Sequence, residues 1–94
     1  MHSGFKKINA FLSVIDTGSF EEAARQLYIT PSAVSLRLSS LEREVGEILV
    51  VRRRPCVPTE KGKIFYQHAQ QLRLVKTQMD SDFARSALWT GYGW

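Results

Sequence analysis

The dipeptide Thr30-Pro31 constrains this chain more than any other feature. A hydroxyl residue followed by proline is a strong helix start. The threonine oxygen can accept from an open backbone N–H, and proline at the first helical position lacks only an N–H that had no partner there. Just upstream, Phe20, Ala23, Ala24 and Leu27 recur at helical spacing. One helix therefore ends near Leu27 and another begins at Pro31, with only Tyr28-Ile29 as a short connection between them. Two helices joined this tightly must cross at a fixed angle, and Ala23 and Ala24 are small enough to let the crossing be close.

Working outward from that turn gives the remaining elements. Ser19-Phe20-Glu21-Glu22 has the form of a capping box at the start of the second helix. Before it, Phe5, Ile8, Phe11, Leu12 and Ile15 make one apolar stripe over about residues 4–16, ended by Thr17-Gly18. The third helix spans 31–45, with Ala33, Val34, Leu38, Leu41 and Val45 expected inward and Gly46 as its stop. Ile48 to Val51 has strand character and Arg53-Arg54-Pro55 breaks it. Cys56 to Pro58 can pair back as an edge strand. Thr59 caps a last helix expected over 60–83, which Gly62 weakens slightly. Phe65, Leu72 and Met79 are seven apart, with His68 and Val75 at the other seam position, a short imperfect heptad. Part of that helix is expected against the first helix, and its remaining stripe against a second copy of the chain.

Charge is placed unevenly. Thirteen Lys and Arg against nine Asp and Glu leave +4 over 94 residues. Residues 1–46 balance five against five, whereas 47–94 hold eight against four. Arg52, Arg53, Arg54, Lys61 and Lys63 cluster with one acid, Glu60, which favours a polyanion such as nucleic acid, although a solvated basic turn is the plainer reading. A chain this short buries a thin core. No apolar run nears ~18 residues, so no membrane-spanning helix is expected. The N-terminal stretch has no cleavable apolar core, and the expected compartment is the cytoplasm.

Two short helices, a tight turn and a basic hairpin read as a winged helix-turn-helix. The N-terminus of the third helix offers N–H groups and a positive dipole end to phosphate. Thr30, Ser32 and Ser35 are short enough to bond phosphate oxygens, and Arg37 can reach a base edge or the backbone. The wing arginines can neutralise phosphates or enter a narrow minor groove.

On these residues the chain resembles the N-terminal DNA-binding domain of LysR-type transcriptional regulators. The resemblance covers residues 5–80, through FLSVIDTGSFEEAARQLYITPSAVSLRLSSLEREVG and the wing leading into PTEKG. It implies a mainly α fold, with a winged helix-turn-helix over 1–58 and a linker and dimerisation helix over 59–83; the tail over 84–94, aromatic, glycine-punctuated and without period, lies outside the resemblance and is expected to be irregular. The resemblance implies a homodimer held by Phe65, His68, Leu72, Val75 and Met79, binding double-stranded DNA at an interrupted two-fold site. For DNA contact it points to Thr30, Pro31, Ser32, Ser35, Leu36 and Arg37 on the recognition helix and to Arg52, Arg53 and Arg54 in the wing. Glu42 matches an acidic position that supports the wing arginine, so Arg52 has two readings, as its partner or as a DNA ligand. Pro31 and Leu36 depart from the family's frequent polar residues, which shifts readout toward Arg37, thymine methyls and DNA shape. The short VRRRPCVPTEKG wing resembles the subgroup that controls lysine and arginine export. The family's effector-binding domain is not expected within the chain, which stops at Trp94, so no small-molecule effector is expected to be sensed here.

The other reactive residues have plain readings. His68 lacks a second ligand at metal spacing, and Cys56 alone makes neither a disulfide nor a cysteine zinc site. Cys56 in a basic wing has a redox reading too, but an inert thiol is favoured. Glu21 and Glu22 point apart on a helix and are no catalytic pair. Tyr28 is expected to fill the rim of the helix-turn-helix. Trp89, Tyr92 and Trp94 can stack on bases, though a packed or loose tail is favoured. No cofactor, metal or enzyme activity is expected. Two other functions compete: a truncated partner that forms mixed dimers with a full-length regulator, and a nonspecific architectural DNA binder.

Overall fold

The computed structural model describes residues 2–85, with side chains from Gly4 onward. Helix α1 (His2–Thr17) buries Ala10, Phe11, Leu12 and Val14 completely. It ends where Gly18 takes a φ of 71°. A side chain at Gly18 would also begin 3.0 Å from the Pro55 Cβ, and the Cys56 N–H donates to the Gly18 carbonyl at 2.9 Å. The α1 terminus is thus the point where the wing closes onto the helices.

Helix α2 (Phe20–Leu27) starts at Ser19, whose Oγ accepts from the Glu22 N–H at 3.1 Å. The reciprocal half of the capping box does not form. The Ser19 N–H is taken by Thr17 Oγ1 at 3.2 Å, and the Glu22 carboxylate pairs with Arg25 instead. Helix α2 ends at Tyr28, in the left-handed region at φ 58°, and the Ile29 N–H turns back to the Ala24 carbonyl at 3.1 Å. This cap tucks Ile29 against the core and throws Tyr28 outward. Tyr28 is 94% exposed, which corrects the expectation that it fills the rim.

Helix α3 (Pro31–Val45) is capped by Thr30, whose Oγ1 accepts from the Ala33 N–H at 3.1 Å, and it stops at Gly46 with φ 82°. Val34, Leu38, Leu41 and Glu42 form its buried face. Val45 was expected inward but is exposed. The last turn lies at the rim of the helix layer, where Lys7 of α1 reaches across to Glu44.

The wing is shorter than its β-branched run suggests. Strands β1 (Val50–Val51) and β2 (Val57–Pro58) pair antiparallel, Val50 opposite Pro58 and Val51 opposite Val57. One position upstream the Thr59 N–H still donates to the Leu49 carbonyl at 3.0 Å, but a buried side chain takes the N–H groups on this side. Glu42 Oε2 accepts from the Leu49 and Val50 N–H groups at 2.8 and 3.2 Å. Ile48 is left exposed, its carbonyl taken by the Thr59 hydroxyl at 2.6 Å.

Helix α4 (Glu60–Ala84) begins with Thr59 Oγ1 accepting from the Gly62 N–H at 3.0 Å. Gly62 is more than a weak helix former. A Cβ there would stand 2.0 Å from the Leu49 carbonyl oxygen, so only glycine lets α4 leave the wing at this height. One turn on, the Phe65 ring meets Phe11 edge-on at 5.4 Å, and Ala69 is buried. Phe65 therefore belongs to the core contact with α1, a correction to its expected place on the outward seam. Leu72 and Val75 do face outward, 53% and 62% exposed, with His68 beside them and Met79 half-buried. Among the described residues no helix is long and apolar enough to cross a membrane. The expectations for residues 86–94, including Trp89, Tyr92 and Trp94, lie outside the described residues.

Candidate nucleic-acid interface

The third helix presents a strip to solvent. At 100° per residue, Ser32, Leu36, Ser39 and Arg43 fall on the side opposite Val34, Leu38 and Leu41. Leu36 is 71% exposed at its centre, Ser32 and Arg43 are exposed, and Ser35 and Ser40 flank it half-buried. Arg37 lies about 100° round from Leu36 and is half-buried. It sits on the flank of the strip, so a straight approach to this helix meets Leu36 and Arg43 before Arg37. Arg43 is a residue the sequence reading missed, although its spacing of seven from Leu36 and eleven from Ser32 places it on one face.

Arg52 joins this strip to the wing. Its guanidinium donates to Ser35 Oγ at 2.9 Å and to Ser39 Oγ at 3.0 Å. It lies 3.7 Å from Glu42 Oε1 and 5.1 Å from the centre of the Phe20 ring. Glu42, only 8% exposed, thus holds β1 through two N–H groups and the guanidinium through charge. A buried carboxylate is tolerated because its lone pairs are spent on donors and a cation. This is the supporting role weighed for Arg52. Ser35 accepts from Arg52 and keeps its own hydroxyl proton for another acceptor.

Arg53 and Arg54 have no such anchors and are exposed at the wing tip. Arg54 stands 4.0 Å from Glu21, too far and too wet to tie it down. Glu21 has its pKa lowered by its own backbone N–H first and by the Ser19 hydroxyl next, with Arg54 a smaller cause. Between the wing and the start of α2 runs an open cleft of about 580 Å³, lined by Ser19, Phe20, Glu21, Arg52, Arg53 and Arg54 among others. The cleft, the wing tip and the α3 strip are contiguous because Arg52 touches all three. Such a surface suits a rod of negative charge, with cations at its edge and hydroxyls and an apolar tip on the protruding helix.

Thr30 is committed to its cap and Pro31 is exposed beside it. Of the remaining reactive residues, Cys56 is a buried free thiol. Among the described residues no group of three or more His, Cys, Asp or Glu is placed to hold a metal ion. One polar cluster had no local sequence signal at all. Asp16 receives the Tyr66 hydroxyl at 2.6 Å and an Arg73 N–H at 2.9 Å, from residues 50 and 57 positions away.

Comparison with known proteins agrees with this geometry. The model of the family described as bacterial regulatory helix-turn-helix protein, lysR family, matches residues 5–63. The lysine export transcriptional regulatory protein LysG of Corynebacterium efficiens is 42% identical over 77 residues, 82% of this chain and 27% of that protein. The chain thus spans about a quarter of the length of such relatives. The crystal structure of ArgP from Mycobacterium tuberculosis is similar with a TM-score of 0.76 at 40% identity, over 84% of this chain and 30% of that one. The DNA-binding domain of BenM, in complex with benA site 1 DNA, is similar with a TM-score of 0.81 at 34% identity, over 94% of this chain and 98% of that one.

Proposed function

Because the chain belongs to the lysR family of bacterial regulatory helix-turn-helix proteins, we propose that it binds double-stranded DNA as two copies, one winged helix-turn-helix on each half of a two-fold site. The observation that carries this reading is the continuity of the α3 strip with the wing through Arg52. On it, Ser32, Ser35, Leu36 and Arg43 enter the major groove, with Arg37 at their flank. Arg53 and Arg54 neutralise phosphate on either side. Arg52 acts through the protein, holding the wing at the right height over α3.

Dimerisation falls to α4, whose Leu72 and Val75 are apolar and exposed on the stripe that continues through His68 and Met79. The division into residues 1–58 for DNA and 59–83 for pairing follows from this reading. Transcription regulation is the family's work, no catalytic role is assigned to any residue, and the bacterial cytoplasm is where its DNA lies. The likeness to LysG and ArgP supports a place near those regulators.

Selection of duplexes from a random pool, followed by anisotropy titrations across a salt series, tests the proposal. The expected result is a two-fold consensus bound in preference to a scrambled duplex, with the Arg54→Ala variant losing about one from the log–log salt slope. Equal binding to both duplexes would sink the sequence-specific reading.

A further inference from the structure

Helix α4 is pinned to the wing at Gly62 and Lys61 and lays Lys76 over the Phe5 ring of α1, and between these points it meets α1 through two kinds of contact. One is apolar: Phe65 and Tyr66 against Phe11, and Ala69 beneath them. Such contacts hold surfaces together but are non-directional, so a helix can slide or tilt on them. The other is the Asp16 node, where one carboxylate accepts from Tyr66 at 2.6 Å and from Arg73 at 2.9 Å. Tyr66 and Arg73 are two helical turns apart on one face of α4. A carboxylate shared between them fixes tilt and roll together, because short charged hydrogen bonds are directional.

Asp16 also stands in the last turn of α1, where the helix dipole disfavours a negative charge. A residue placed against local preference needs a reason outside its own helix, and here that reason is α4. The domain's first helix is thereby made to set the exit angle of its last.

We propose that the Asp16–Tyr66–Arg73 node determines which half-site spacing the dimer accepts, so that these three are positioning residues for DNA specificity although none faces the DNA. This rests on the dimeric reading above. Helix α4 has 25 residues, so it is about 37 Å long. About 22 Å of that length lies beyond the middle of the node, so a tilt of about 10° there moves the far end by about 4 Å, close to one base-pair step of ~3.4 Å. Each copy contributes such a joint, so a loose node blurs the distance between the two recognition helices, and a firm one makes it a ruler.

The test uses the full chain with duplexes carrying two selected half-sites at spacings stepped by one base pair, and a duplex with a single half-site. The wild type should show one optimum, with affinity falling about tenfold for each base pair of displacement. Asp16→Asn and Tyr66→Phe keep shape and, in the second case, the ring on Phe11. Both should flatten that profile to about threefold or less while single half-site affinity stays within about twofold of wild type. Melting curves establish that the variants are folded. Variants that keep the wild-type spacing profile would overturn the inference alone. Variants that lose half-site affinity as much as two-site affinity would make the node merely structural, and so overturn it too. A wild type with no spacing optimum would overturn both this inference and the dimeric reading.

Discussion

Helices α1 to α3 and helix α4 use apolar periodicity for different ends. In the first three, the stripes meet one another: Phe11, Leu12, Val34 and Leu38 are all fully buried in one cluster. In α4 the apolar residues divide. Phe65 and Ala69 go inward with α1, while Leu72 and Val75, one and two turns further, remain in solvent. A stripe read from sequence reports that a face will be covered, and not by what. Where several stripes share one short chain they cover each other. Where a helix outruns its domain, the same spacing leaves an apolar face uncovered, the face given above to pairing in the proposed dimer.

The sharpest way to break this comparison is to truncate one leucine from each region. Leu38→Ala empties a fully buried site and should cost about 3–5 kcal/mol in urea unfolding at any protein concentration. Leu72→Ala should cost about 0.5 kcal/mol or less in dilute protein, with a loss that grows as concentration rises and pairing contributes. Equal losses from the two, independent of concentration, would erase the distinction. A smaller effect sharpens the boundary between the regions. Gly62→Ala ought to stabilise a helix by about 1 kcal/mol on propensity. With the Leu49 carbonyl oxygen 2.0 Å from the new Cβ, it should instead destabilise by about 1–3 kcal/mol in thermal melts. A variant that melts higher would show that the wing does not press on α4.

The legibility of the molecule follows the range of its interactions. The caps at Ser19, Thr30 and Thr59 are written in adjacent residues, and all three accept the expected backbone N–H. The third helix has its expected bounds, Pro31 to Val45. Glu42 and Arg52 were legible only through family resemblance, since nothing in their spacing declares a buried carboxylate under a wing. The arrangement around Tyr28 was misread because its left-handed backbone is decided by the cap, not by the side chain's appetite for burial. Phe65 and Val45 were misassigned for one shared reason: periodicity gives a direction but not the depth at which the neighbouring helix stops. The Asp16 node was invisible, since its members are brought together only by the final docking of α4 on α1.

The last prediction concerns that docking and is read through pH. The pKa of Tyr66 is raised above its ordinary value of 10.0, first because its hydroxyl donates to Asp16, then through burial and the Asp16 charge. The folded state therefore holds this proton when the unfolded chain has begun to release it. The contribution to stability is complete below about pH 10 and is lost as pH rises further, through the folded pKa. Tyr66→Phe removes the donor at every pH and should cost about 1 kcal/mol near neutrality. The gap between wild type and variant in melting temperature should be constant from pH 7 to 9 and close above pH 10. A gap that persists undiminished at high pH would mean the hydroxyl proton is not what holds α4 against α1. The arrangement contrasts with the apolar seat of α3, where Val34, Leu38 and Leu41 carry no titratable group and the one buried carboxylate, Glu42, is spent on the wing: the docking of α4 adds a proton and a charge to its apolar contact, whereas α3 sits against α1 and α2 on hydrocarbon.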